Sequence, residues 1–174
     1  NEIKQSIEIA NGHNVTINGI IDRLDIVSFN GTDNLRVVDY KTGRTHTETF
    51  NSLEEIFLNR NGKEQLASYY LQTMLYATFV RDSSQYNPGN LATIPSLMFI
   101  QDFNNKENSP VLKISKSEIT DIKTYEDDFK DLLNNTLSEI YNINIDFRPT
   151  SQSSRCDKCP YKLMCYQNIK DSPQ

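Results

Sequence analysis

Apolar and polar residues alternate along the first forty positions and then change period. Val and Ile recur through Val15 to Phe29, and a shorter apolar run from Leu35 ends in charge at Lys41. Period-two stretches of this kind predict strands. Asn30-Gly31 lies between them, a pair that tolerates the positive φ of a type I′ turn, so a tight hairpin is expected. With Asn30 and Gly31 as the two turn residues, Phe29 faces Thr32, paired positions sum to 61, and Asp22 lies opposite Asp39. Side chains alternate across a strand, so Asp22, Leu24 and Ile26 share a face with Leu35, Val37, Asp39 and Lys41, while Arg23 and Asp25 point the other way. A longer turn through Asn34 would bring Asp25 opposite Asp39 instead. Asp22 is ranked first and Asp25 second.

Upstream, Ile3, Ile7 and Ile9 alternate with polar residues, and Asn11-Gly12-His13 supplies a turn. This predicts the outer hairpin of a meander. After Arg44 a Thr-rich loop precedes a short helix opening at Ser52 and closed by Asn61-Gly62. From Lys63 to Arg81 there is no Gly or Pro, and Leu66, Tyr70, Met74 and Ala77 recur near a helical period. Gln65, Tyr69, Gln72 and Tyr76 form a second, polar and aromatic stripe on this helix. Pro95 to Gln101 reads as a strand, with a turn over Asn104 to Ser109 and a hairpin partner at Val111 to Ile114. Ser117-Glu118 is expected to open a helix running to Tyr141, with Glu126, Asp127, Lys130 and Asp131 on its solvated face.

Chemistry adds meaning to the hairpin. Two neighbouring carboxylates repel, and a divalent cation with oxygen ligands holds both ionised. A lysine beside them can position or deprotonate a water, or neutralise charge developing on a phosphate. The reaction class this suggests is metal-dependent phosphodiester hydrolysis; the alternative is a surface hairpin with solvated charges. The Gln and Tyr of the helical stripe offer amides, rings to stack and hydroxyls, which suit a DNA strand.

At 174 residues with 37% apolar content, the chain can build one domain with a real core. It has no run near the roughly 20 apolar residues of a membrane span and no apolar N-terminal leader segment. The net charge of −5 argues mildly against nucleic-acid binding, although a local basic groove can hold a strand. Three cysteines, Cys156, Cys159 and Cys165, fall within ten residues. An odd cluster fits metal ligation in a reducing cytoplasm better than disulfides.

Asp22 followed by Asp39-Tyr40-Lys41, within GIIDRLD and VVDYKTG, resembles the PD-(D/E)xK nuclease signature, and is similar to its RecB-like, AddB-type exonuclease branch. LQTMLYA at Leu71 to Ala77 resembles the Gln-x-x-x-Tyr motif of that branch, with Gln65 and Tyr69 only echoing the spacing. The resemblance implies a restriction-endonuclease-like α/β (α+β) fold, a mixed central sheet flanked by helices, over 1–145, and a cysteine-containing extension over 146–174. It implies Mg²⁺ or Mn²⁺ on Asp22 and Asp39, Lys41 assisting the water, and Gln72 and Tyr76 on the substrate side. The cysteine trio is similar to one that joins a fourth, upstream cysteine around a [4Fe–4S] cluster in such exonucleases. No cysteine precedes Cys156, so the fourth ligand is missing here: either it is expected in an absent N-terminal portion, or the site holds zinc or is empty. The family's helix ahead of the meander has no counterpart, and the chain is expected to be a fragment. The function implied is a DNA exonuclease of recombination and double-strand-break repair, joined to a helicase domain or subunit. The alternative is a non-catalytic DNA- or partner-binding module that retains the fold. A zinc-ribbon-like interaction domain accounts for the cysteines alone and leaves the hairpin unexplained.

Overall fold

The computed structural model describes residues 2–10, 12–29, 31–43, 49–58, 62–102, 109–148, 156–157 and 159–169. Of the expected turn residues, Asn11, Asn30, Asn61 and Asn104 lie outside these, as does the Ser-rich stretch before Cys156. The chain divides into two compact units, Asn1–Glu139 and Ile140–Gln174.

In the first unit, β1 (Glu2–Glu8) and β2 (Asn14–Ile20) form an antiparallel pair. β3 (Arg23–Phe29) and β4 (Thr32–Lys41) form the predicted hairpin, with Phe29 opposite Thr32 and Arg23 opposite Val38. Gly31 takes φ +76°, the left-handed conformation that a type I′ turn requires. The first arm departs from expectation. It does not run unbroken from Val15 to Phe29 but bends at Asp22, so β1–β2 and β3–β4 belong to separate sheets.

β4 continues through α1 (Leu53–Phe57) and α2 (Glu64–Arg81) to β5 (Thr93–Phe99), which lies parallel beside it with Asp39 opposite Leu97. A parallel neighbour needs such a crossover. The sheet β3-β4-β5 is therefore mixed, and with its helices it has the restriction-endonuclease-like α/β architecture. Being central, β4 is buried on both faces, with Val37 and Val38 both closed to solvent. β3 is an edge strand, and this is why Ile26 on it is 61% exposed rather than part of the expected apolar patch. α2 is buried on several sides, with Leu66, Ala67, Tyr70, Met74, Ala77 and Val80 all in the core. Its buried Thr73 and Thr78 give their hydroxyl protons to the carbonyls of Tyr69 and Met74.

The segment after β5 begins as predicted, with Val111 bridging Ser96 in antiparallel sense. Beyond it the expectation fails. Ser117-Glu118 opens no helix; it is β7, paired with β6 (Lys113–Ile114) across Ser115 and Lys116, at φ 50° and 68°. Helix begins only with a 3-10 turn at Ile122–Tyr125, capped by the Asp121 carboxylate, and continues as α3 (Glu126–Ile140). Phe129 and Leu133 are its buried residues. The second unit holds α4 (Lys162–Ile169). Among the described residues no helix is long and apolar enough to cross a membrane.

Candidate active site

The last ladder pair of the hairpin is Arg23 with Val38. Just beyond it the Asp22 carboxylate accepts the Tyr40 N–H at 2.8 Å. This contact fixes one oxygen of an exposed carboxylate beside the end of β4, near enough for its charge to act on Asp39.

Asp39 is 3% exposed. Its Oδ2 lies 2.6 Å from the Lys41 ammonium, two residues along the same face. Among the described residues this ammonium is the one partner of the buried oxygen. Burial pushes the Asp39 carboxyl above the ordinary aspartate value; Lys41 pulls it back, and the charge of Asp22 pushes it further up. A buried carboxylate with a like charge beside it and an under-satisfied oxygen is a hard oxygen donor set short of positive charge. This is the chemistry a divalent ion with water ligands satisfies, so the residues fit one.

Lys41 reaches across to α2. Its ammonium donates to Gln72 Oε1 at 3.0 Å, and Gln72 Nε2 donates to the Tyr76 hydroxyl at 3.2 Å. Tyr76 is buried against β2, where a Cβ on Gly19 would stand 2.4 Å from its hydroxyl oxygen and 2.7 Å from its Cε1. Only a residue without a side chain lets the ring lie there. Asp39, Lys41, Gln72 and Tyr76 thus form one connected line from sheet to helix to the β1–β2 pair, with Asp22 beside its acidic end.

Asp25 is elsewhere. It pairs with Arg36 at 2.6 Å and Arg23 at 2.5 Å, and Arg23 also donates to the Tyr40 hydroxyl. Burial raises the Asp25 carboxyl, but the hydrogen bonds and charges of Arg36 and Arg23 outweigh it and hold it below the ordinary value. Its charge is already matched on the face of the hairpin turned away from Lys41.

One residue that the sequence set aside takes part. Lys41 Nζ stands 4.5 Å from the centroid of the Tyr69 ring, and Gln65 Nε2 donates to the Tyr69 hydroxyl at 2.6 Å. The available signal was the position of Tyr69 three residues before Gln72, on the same helical stripe.

Cys156, Cys159 and Cys165 are free and partly buried in the second unit. Among the described residues no three His, Cys, Asp or Glu side chains are gathered around a point. With three thiols of the four ligands needed, the residues present do not fit a [4Fe–4S] cluster.

Neither a curated protein nor a solved structure matches the chain. The family model of the PD-(D/E)XK nuclease superfamily matches residues 2–166, which takes in the hairpin acids, Lys41 and the α2 stripe. The chain belongs to the PD-(D/E)XK nuclease superfamily, and that membership implies a metal-dependent nuclease that binds DNA.

Proposed function

We propose that the site at the end of β4 hydrolyses DNA phosphodiester bonds as an exonuclease, within a helicase–nuclease that acts in recombination and double-strand-break repair. The observation that carries the hydrolytic reading is the buried Asp39 with its under-satisfied oxygen beside Lys41 and Asp22. Asp22 and Asp39 would hold Mg²⁺ or Mn²⁺. Such an ion, when bound, supplies Lewis acidity at a phosphoryl oxygen and a more acidic water.

The chain's own residues do the rest. The ion pair with Asp39 and the bond to Gln72 fix the Lys41 ammonium between strand and helix, where it can orient the attacking water and stabilise negative charge developing on the phosphate. Half-buried Gln72 would meet the strand, and buried Tyr76, which accepts the Gln72 amide hydrogen bond, would act through it. The domain organisation proposed is a nuclease core over 1–145 and a cysteine-containing extension over 146–174. An iron–sulfur clasp in that extension would need a fourth ligand besides Cys156, Cys159 and Cys165.

The test is Mg²⁺- or Mn²⁺-dependent cleavage of a DNA oligonucleotide by the chain and by Lys41→Ala. Loss of an acid–base or electrostatic group of this kind lowers the rate by about 10²–10⁴-fold. Equal rates in both would remove Lys41 from the mechanism.

A further inference from the structure

Lys41 is held from three sides. Asp39 and Gln72 take it through oxygen atoms at 2.6 and 3.0 Å. A third support comes from the Tyr69 ring, 4.5 Å away at its centroid, within the distance at which an aromatic face attracts a cation. The ring is itself fixed twice. Gln65, one turn earlier on α2, donates to its hydroxyl at 2.6 Å, and its face is tilted against Phe99 of β5, with centroids 6.2 Å apart. Phe99 lies opposite Lys41 in the β4–β5 register, so strand and helix together set the ring beneath the ammonium.

We infer that Tyr69 is a positioning residue for Lys41, acting through its aromatic face and not through contact of its hydroxyl with DNA. The physical need follows from Asp39. Any cation bound by Asp39 competes with Lys41 for the same carboxylate and repels the ammonium. An uncharged support is then required to keep Lys41 at the site, because a second acid there would bind a cation in its turn. Gln72 and the Tyr69 ring are both uncharged and are the two contacts that survive such competition. The inference rests on the nuclease reading for its consequence in the rate, but the placement of the ring is independent of it.

Three variants of the full chain separate the possibilities: Tyr69→Phe, which keeps the ring, Tyr69→Leu, which removes it, and Tyr69→Leu in a Lys41→Gln background. The first measurement needs neither metal nor DNA. In carbon–proton correlation spectra the Lys41 methylene next to the ammonium is expected to be shifted upfield by the ring, to stay so in Tyr69→Phe, and to return to ordinary values in Tyr69→Leu. The second is Mn²⁺-dependent cleavage. Tyr69→Phe should keep kcat within about twofold, and Tyr69→Leu should lower it by about threefold to tenfold with KM little changed. In the Lys41→Gln background the loss of the ring should add nothing. Thermal melts identify any variant that fails to fold, and in that case Tyr69→Phe and the wild-type spectrum still decide. An ordinary Lys41 shift in the wild type, a Tyr69→Phe as slow as Tyr69→Leu, or an undiminished effect in the Lys41→Gln background would each overturn the assignment. Should no variant cleave DNA, the nuclease reading fails by that result, and the placement of the ring is decided by the spectra alone.

Discussion

On one face of the β3–β4 hairpin Asp25 is gripped by two guanidinium groups, Arg36 at 2.6 Å and Arg23 at 2.5 Å; on the face beneath α2, Asp39 meets a single ammonium and is 3% exposed. The two carboxylates come from the same hairpin and have the same intrinsic acidity. Their surroundings move them in opposite directions, Asp25 below its ordinary value and Asp39 above it. A carboxylate saturated with arginine gains nothing from a divalent ion. One that is buried, next to a like charge and short of hydrogen bonds gains a great deal. Excess or deficit of local positive charge, more than the presence of acids, separates the structural face from the reactive one.

The largest effect expected from this contrast is in cleavage. Asp39→Asn should lower the Mn²⁺-dependent rate by at least about 100-fold, because a ligand is lost together with the group that anchors Lys41. Asp25→Asn should cut at close to the wild-type rate and show its damage in a lower Tm instead. Parallel oligonucleotide assays and melts check both. Cleavage lost with Asp25 and kept with Asp39 would invert the two faces.

A smaller effect is expected from Gly19→Ala. The new Cβ would collide with Tyr76, which must move and let go of Gln72. Overpacking of a filled site costs about 1–3 kcal/mol, read as a lower Tm, and the rate should fall by about tenfold through the slackened hold on Lys41. A Gly19→Ala protein with unchanged rate and Tm would show that the close fit of Tyr76 over Gly19 does not hold Gln72 in place for Lys41.

The smallest effect is a pH dependence, and the two faces should show it with opposite sign. Asp39 has a raised folded value, so the metal-free fold binds its proton more tightly than the unfolded chain does. Its contribution to stability is therefore largest at low pH and is lost as pH rises through that raised value. A divalent ion needs the deprotonated carboxylate, so the rise in Tm on adding Mn²⁺ should grow across the same interval and be absent in Asp39→Asn. Asp25 has a lowered folded value. Its contribution is present above the ordinary aspartate value and is lost as pH falls through the lowered one. Melts from acid to neutral pH, with Mn²⁺ and with chelator, check this.

Much of the site was legible because its signals are local. Asn30-Gly31 marked the turn that pairs Phe29 with Thr32 and puts Asp25 opposite Arg36, and a helix without Gly or Pro carried Gln72 and Tyr76 one turn apart, within hydrogen-bond reach. What could not be read depended on contacts distant in sequence. Ser115 and Lys116 adopt left-handed φ without the Gly or Asn that marks such turns, because the Ser115 N–H and hydroxyl bind the Phe50 and Asn51 carbonyls. That is why a hairpin was taken for the start of a helix. The bend at Asp22 was hidden in an unbroken β-favouring run. The engagement of Tyr69 needed Lys41 and Phe99 to be brought beside it by the β4–β5 pairing.

The most direct measurement is a calorimetric titration of the metal-free chain with Mn²⁺, repeated on Asp39→Asn and Asp25→Asn. The account predicts saturable binding in the wild type, the same binding in Asp25→Asn, and none in Asp39→Asn. Binding that survives in Asp39→Asn, or a wild type that takes up no Mn²⁺, would contradict it.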